Sequence, residues 1–119
     1  FSGIAYASYL RCVSVLNRRY LELRGLGDIA GACGIDVSYL CRLFKNFSHQ
    51  SPYQYYLRLA MNYAAYLLLQ DNRQVQEVAE MMHYVDPLHF SRTFKKVMGI
   101  CPSEFVKLSK CSPDAREGQ

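Results

Sequence analysis

The chain has 119 residues, the usual size of one domain, and this excludes two large domains. Half of the residues are hydrophobic, with six Phe and ten Tyr, which is apolar material enough for packed cores and argues against disorder across the chain. Lys and Arg number 14 against 10 Asp and Glu, a net charge of +4 too modest to prove a nucleic-acid partner by itself.

Residues 4–24 place Tyr9, Val13, Leu16, Tyr20 and Leu23 at helical spacing, so one helix with one buried stripe is expected there. Gly25 and Gly27 punctuate the chain, and Asp28 brings negative charge to the start of a short helix over residues 28–33, stopped by Gly34. Asp36 and Ser38 are candidate caps for a helix through VSYLCRLFKNF, with Leu40, Leu43, Phe44 and Phe47 inward. Pro52 opens a long helix to about residue 70, whose stripe reads Tyr56, Leu59, Tyr63, Tyr66 or Leu67, and Gln70. Tyr55, Ala64, Leu68 and Leu69 widen that stripe, and Arg58 is its only charge, so contacts on more than one side are expected. A short helix follows over residues 75–82, then one opened by Asp86-Pro87 and closed by Gly99, then a last one from Pro102 to about residue 110. The polar residues 111–119 lack an apolar anchor and are expected to be disordered. No segment alternates with period two, so the fold class is all-α, with about seven helices.

No run of about 18 apolar residues occurs, which excludes a membrane-spanning helix, and no membrane partner is expected. A secretory signal is also missing, and the first residue is Phe rather than Met, so a piece of a longer protein is expected. Cys12, Cys33, Cys41, Cys101 and Cys111 make no CxxC pair, and His49 completes no zinc pattern, so neither a metal nor another cofactor is expected. Cys33 and Cys41 read as apolar filler, the cysteines as buried structural thiols, and the compartment as reducing, hence cytoplasmic.

The chain repeats itself. LGDIAGACGI aligns with VQEVAEMMHY at an offset of 49, and LCRLFKNFSHQSPYQY with FSRTFKKVMGICPSEF at an offset of 50. The extra residue of the second copy falls in the turn before Pro87. Leu40 matches Phe90, Arg42 matches Arg92, Phe44 matches Phe94, Lys45 matches Lys95, Pro52 matches Pro102, and Ala30 matches Ala79. Short helix, tight turn and second helix is the helix-turn-helix plan, with the alanines at the close helix contact. Leu40 with Phe44, and Phe90 with Phe94, turn one face of each second helix inward, so Arg42 and Arg92 point outward. Residues 37–47 and 87–97 hold Arg42, Lys45, Arg92, Lys95 and Lys96 and no acid, while Asp28, Glu77 and Glu80 lie on the first helices. A basic free face on a second helix is what reading a DNA major groove requires, because the groove admits one helix and Arg can donate twice to one guanine. A single such face reads more simply as solvated surface; two at a fixed offset favour the groove-reading plan.

On LGDIAGACGIDVSYLCRLFK, P-x-x-YY…A-x-x-LLL and DPLHFSRTFKKVMGICPSEF, the chain resembles the DNA-binding domain of AraC/XylS-family bacterial transcription regulators, over residues 10–107. The resemblance implies two helix-turn-helix subdomains joined by one long helix, with both second helices in successive major grooves of double-stranded DNA. The implied subdomains are residues 1–53 and 71–110, with residues 52–70 as the connection. It implies base contacts from Ser38, Cys41 and Arg42 in the first copy and from Pro87, Leu88, Ser91 and Arg92 in the second. It implies phosphate contacts from Lys45, Asn46, Lys95 and Lys96. It also implies activation of transcription, RNA polymerase as a further partner, a place in the bacterial nucleoid, and an effector or dimerisation domain outside this chain. The family often has Gly where this chain has His49 and His83, so either strain or a reshaped turn is expected at both. It often has a basic residue where this chain has Ala60, so one backbone contact is expected to be missing.

Two other classes compete. A protein-interaction module would dock through the Tyr-rich helix, although aromatic stripes at helical spacing are more often core. A cysteine enzyme fails for want of a His or acid set near a Cys by a recognisable pattern.

Overall fold

The computed structural model describes residues 3–70 and 73–111. Among these the chain is helical, with no strand: α1 (Gly3–Arg19), a 3₁₀ turn (Tyr20–Glu22), α2 (Leu26–Cys33), α3 (Val37–Phe47), α4 (Pro52–Leu68), α5 (Val75–Met81), α6 (Pro87–Met98) and α7 (Pro102–Cys111). The expected all-α class and seven helices are what is found. Of the tail expected at residues 111–119, Cys111 instead ends α7, and residues 112–119 lie outside the described residues. The chain divides into two compact units, residues 1–60 and 61–119, with the division inside α4.

The first unit is built where α1 meets α2 and α3. Its core joins Cys12 and Leu16 of α1, Ile29, Ala30 and Cys33 of α2, and Leu40, Leu43 and Phe44 of α3. Tyr9 packs edge-on to Phe44 at 5.1 Å, and Tyr55 of α4 does so at 5.9 Å, geometries in which ring edge meets ring face. The Tyr56 hydroxyl donates to the Leu23 carbonyl at 2.7 Å, and burial raises its pKa. The Arg11 guanidinium donates to the Cys33 carbonyl, a cation placed on the C-terminal end of α2.

The apolar spacing that predicts one helix over residues 4–24 overruns its end. The α-helix stops at Arg19, a 3₁₀ turn follows, and Leu23 is extended and buried. Val13 and Tyr20 are accordingly only half-buried, while Cys12 and Val15 are buried. Cys12 sits in the core, and its thiol pKa is pushed up to about 12, first by burial and then by Cys33 beside it. Cys41 corrects the expectation of buried thiols, because it lies on the exposed side of α3.

In the second unit Val78 and Ala79 of α5 and Phe90 and Phe94 of α6 are fully buried. Phe94 meets Phe105 of α7 edge-on at 5.7 Å, repeating the Phe44–Tyr55 contact. The buried stripe of α4 also differs from the expected one. Met61, Ala64, Ala65, Leu67 and Leu68 are buried, whereas Tyr66 and Leu69 are about half exposed. Small alanines fill the packed side of this helix, and the large tyrosine rings mislead a reading based on size.

Candidate nucleic-acid interface

Each second helix begins on a carboxylate cap. Asp36 accepts from the Tyr39 N–H at 2.7 Å, and Asp86 accepts from the Leu88 N–H at 3.0 Å, with Pro87 supplying a preset φ at the first helical position. Asp36 is therefore the cap of α3, and Ser38 lies inside the helix. Such caps contribute about 1 kcal/mol each and set where the helix starts, hence which residues its free face carries.

The turns before these helices are built alike. Gly34 and His83 hold φ of 72° and 67°, both left-handed. The next residue then closes back on the first helix: the Ile35 N–H donates to the Ala30 carbonyl at 3.1 Å, and the Tyr84 N–H to the Ala79 carbonyl at 2.9 Å. This six-to-one bond is the helix-ending motif that glycine usually serves. The expected strain at His83 is found: among the described residues it is the one non-glycine residue at positive φ. His49 is not strained, because α3 ends on Ser48 in extended conformation, whereas α6 ends on the left-handed Gly99.

The inward pairs Leu40/Phe44 and Phe90/Phe94 are fully buried and so determine what remains outside. On α3, Ser38, Cys41, Arg42, Lys45 and Asn46 are all exposed. On α6, Pro87, Leu88, Arg92, Lys95 and Lys96 are exposed, whereas Ser91 is half-buried. Ten of the eleven candidate residues thus occupy the free faces of two helices whose other faces are core. The Arg42 guanidinium lies over the Tyr39 ring, 5.5 Å from its centroid, which restricts its rotamers while leaving its N–H groups free to donate. The matching ring on α6, His89, packs edge-on to Tyr84 at 5.2 Å instead. Ala60 is buried, so this position does not present a side chain at the surface.

One exposed residue escapes the sequence reading. Val85 occupies the turn between Tyr84 and the cap Asp86 and is fully exposed. The offset change from 49 to 50 marks it as the extra residue of the second copy, the one signal that could have singled it out.

Among the described residues no helix is long and apolar enough to cross a membrane. Two helix-turn-helix units, each with an acid-free basic second helix, define a DNA-binding module of transcription regulators. A family model described as a helix-turn-helix domain matches residues 29–108. The chain belongs to this family, in its AraC/XylS branch. It is 30% identical over 97 residues to the uncharacterised HTH-type transcriptional regulator YidL of Escherichia coli, covering 82% of this chain and 33% of that one. It is 31% identical over 93 residues to the lactose operon transcription activator of Staphylococcus xylosus, covering 78% of this chain and 33% of that one. The crystal structure of a transcriptional regulator with an AraC-type DNA-binding domain from Chromobacterium violaceum superimposes with a TM-score of 0.74 at 27% identity, covering 94% of this chain and 99% of that one. The chain spans about a third of the length of the curated relatives it matches.

Proposed function

We propose that this chain reads double-stranded DNA through α3 and α6, each in a major groove, as the DNA-binding part of a longer transcription activator. The observation that carries this reading is the motif built twice: the same caps, the same six-to-one bonds and the same buried pairs leave a basic face free on each second helix. Arg42 and Arg92 each donate to guanine O6 and N7, so a G·C pair lies at the centre of each half-site. Ser38 and Cys41 read beside Arg42, and Pro87, Leu88 and Ser91 beside Arg92. Lys45, Asn46, Lys95 and Lys96 hold phosphates, which position the protein without reading sequence.

Residues 1–53 and 71–110 serve as the two reading subdomains, with residues 52–70 as the connection. Activation is supported by the activator named among the relatives, and a sensing or dimerisation domain by their greater length. RNA polymerase is the second partner, and the nucleoid in the cytoplasm the place of action. The chain acts by binding, not by catalysis, and holds no cofactor. A docking module on α4 would rest on Tyr53 and Tyr66, the exposed rings of this helix, since Tyr55 and Tyr56 pack against the first core.

Titrating a labelled duplex at several salt concentrations tests the reading. About four to six neutralised phosphates give a log–log slope near −4 to −5. A flat salt response contradicts DNA binding and favours a protein-interaction module.

A further inference from the structure

We propose that Val85 is a specificity-determining residue that reads a thymine C5 methyl group in the half-site of α6. The inference rests on the DNA-reading function above and adds to it a residue outside both recognition helices.

The two turns can be compared residue by residue. Gly34 and His83 share the left-handed conformation, Ile35 and Tyr84 share the bond back to the first helix, and Asp36 and Asp86 share the cap. Ile35 packs against the first core, and Tyr84 lies edge-on to Phe90 at 5.4 Å. Val85 alone has no counterpart, takes no part in this scheme, and is left fully exposed.

A lone exposed valine is ordinary. This one stands two residues before Pro87, at the end of α6 that enters the groove in a helix-turn-helix complex. Pro87 is exposed as well, and Leu88 is 63% exposed, so the entering end of α6 presents three apolar side chains within four residues. The corresponding end of α3 presents Val37 and Ser38. The basic residues of α6 follow at Arg92, Lys95 and Lys96, with no acid on the helix, so the surface continuing from this tip is complementary to a polyanion.

An apolar tip gains nothing against phosphate. In the major groove the one apolar feature of a base edge is the thymine methyl. Set against cytosine or adenine, the same side chains would cover an amino donor without accepting from it, which costs binding. Val85 therefore favours thymine by contact and disfavours cytosine and adenine by desolvation.

The experiment uses the whole chain and a duplex selected by it from random sequence. Each thymine is replaced in turn by deoxyuridine, which removes the methyl and keeps every hydrogen-bonding group. Wild type is expected to lose roughly three- to tenfold in affinity at one thymine of the half-site away from Arg42. V85S should bind the thymine and uracil duplexes alike, at the wild-type affinity for uracil, and V85I should retain the thymine preference. Helical content should stay unchanged, because Val85 packs against nothing. Equal wild-type affinity for all uracil duplexes overturns the proposal. So does a uracil penalty that persists in full in V85S, which would leave Leu88 as the sole methyl reader, and so does a V85S variant that weakens on both duplexes equally. Failure to enrich any duplex would instead strike the DNA-reading function itself.

Discussion

His83 does with a bulky side chain what Gly34 does with none. At φ of 67° its Cβ crowds the backbone, a cost of about 1–2 kcal/mol that glycine avoids. His83→Gly is expected to stabilise the second unit by about 1 kcal/mol, and Gly34→Ala to destabilise the first by a similar amount. Nothing lies within 4 Å of a Cβ built at Gly34, so that second cost is the backbone's alone. Urea unfolding followed by circular dichroism checks both signs; a destabilised His83→Gly variant would show that the imidazole contributes more than its backbone costs. The resemblance marked this site, because the family often has Gly where this chain has His83, and the aligned repeat sets the same residue on Gly34. The same reasoning failed at His49, where Ser48 ends α3 without a left-handed residue.

At the scale of the helix, the candidate faces were legible because Leu40/Phe44 and Phe90/Phe94 fix the inward side four residues apart. What that pattern could not fix was how far Ser91 turns toward the core, since a serine fits either environment, or where α1 ends, since Leu23 is buried from an extended segment that keeps helical spacing by coincidence. It also could not show that Tyr39 lies under Arg42, because a ring at that spacing serves core and cation equally. The free faces carry a prediction about roles. Arg42→Ala and Arg92→Ala should each weaken specific binding by about 1–3 kcal/mol and relax base preference in one half-site only. Lys45→Ala and Lys96→Ala should weaken binding to all sequences alike. Both kinds of side chain project from exposed faces, so helical content should not change. Affinities for the selected duplex and its single-base variants, at one salt concentration, separate the two. Equal losses on specific and random DNA for the arginine variants would make them phosphate contacts.

For the whole molecule the informative feature is that the two copies are alike in construction and unlike in what they present. Four core pairs agree in burial, Ile29/Val78, Ala30/Ala79, Leu40/Phe90 and Phe44/Phe94, while Met82 and Thr93 are only half-buried where Cys33 and Leu43 are core. The free faces differ: Ser38 and Cys41 on one, Leu88 with the half-buried Ser91 at the edge of the other, and Val85 added before the second. A single chain with two unlike readers requires an asymmetric site, whereas a symmetric dimer of one reader requires a palindrome. Selection from random duplexes, followed by footprinting of the winning sequence with the whole chain, tests this most directly. One chain per duplex, protecting two unlike major-groove segments about one helical turn apart, each centred on a G·C pair, is the expected result. A palindromic consensus occupied by two chains, or protection of a single segment, would contradict the account.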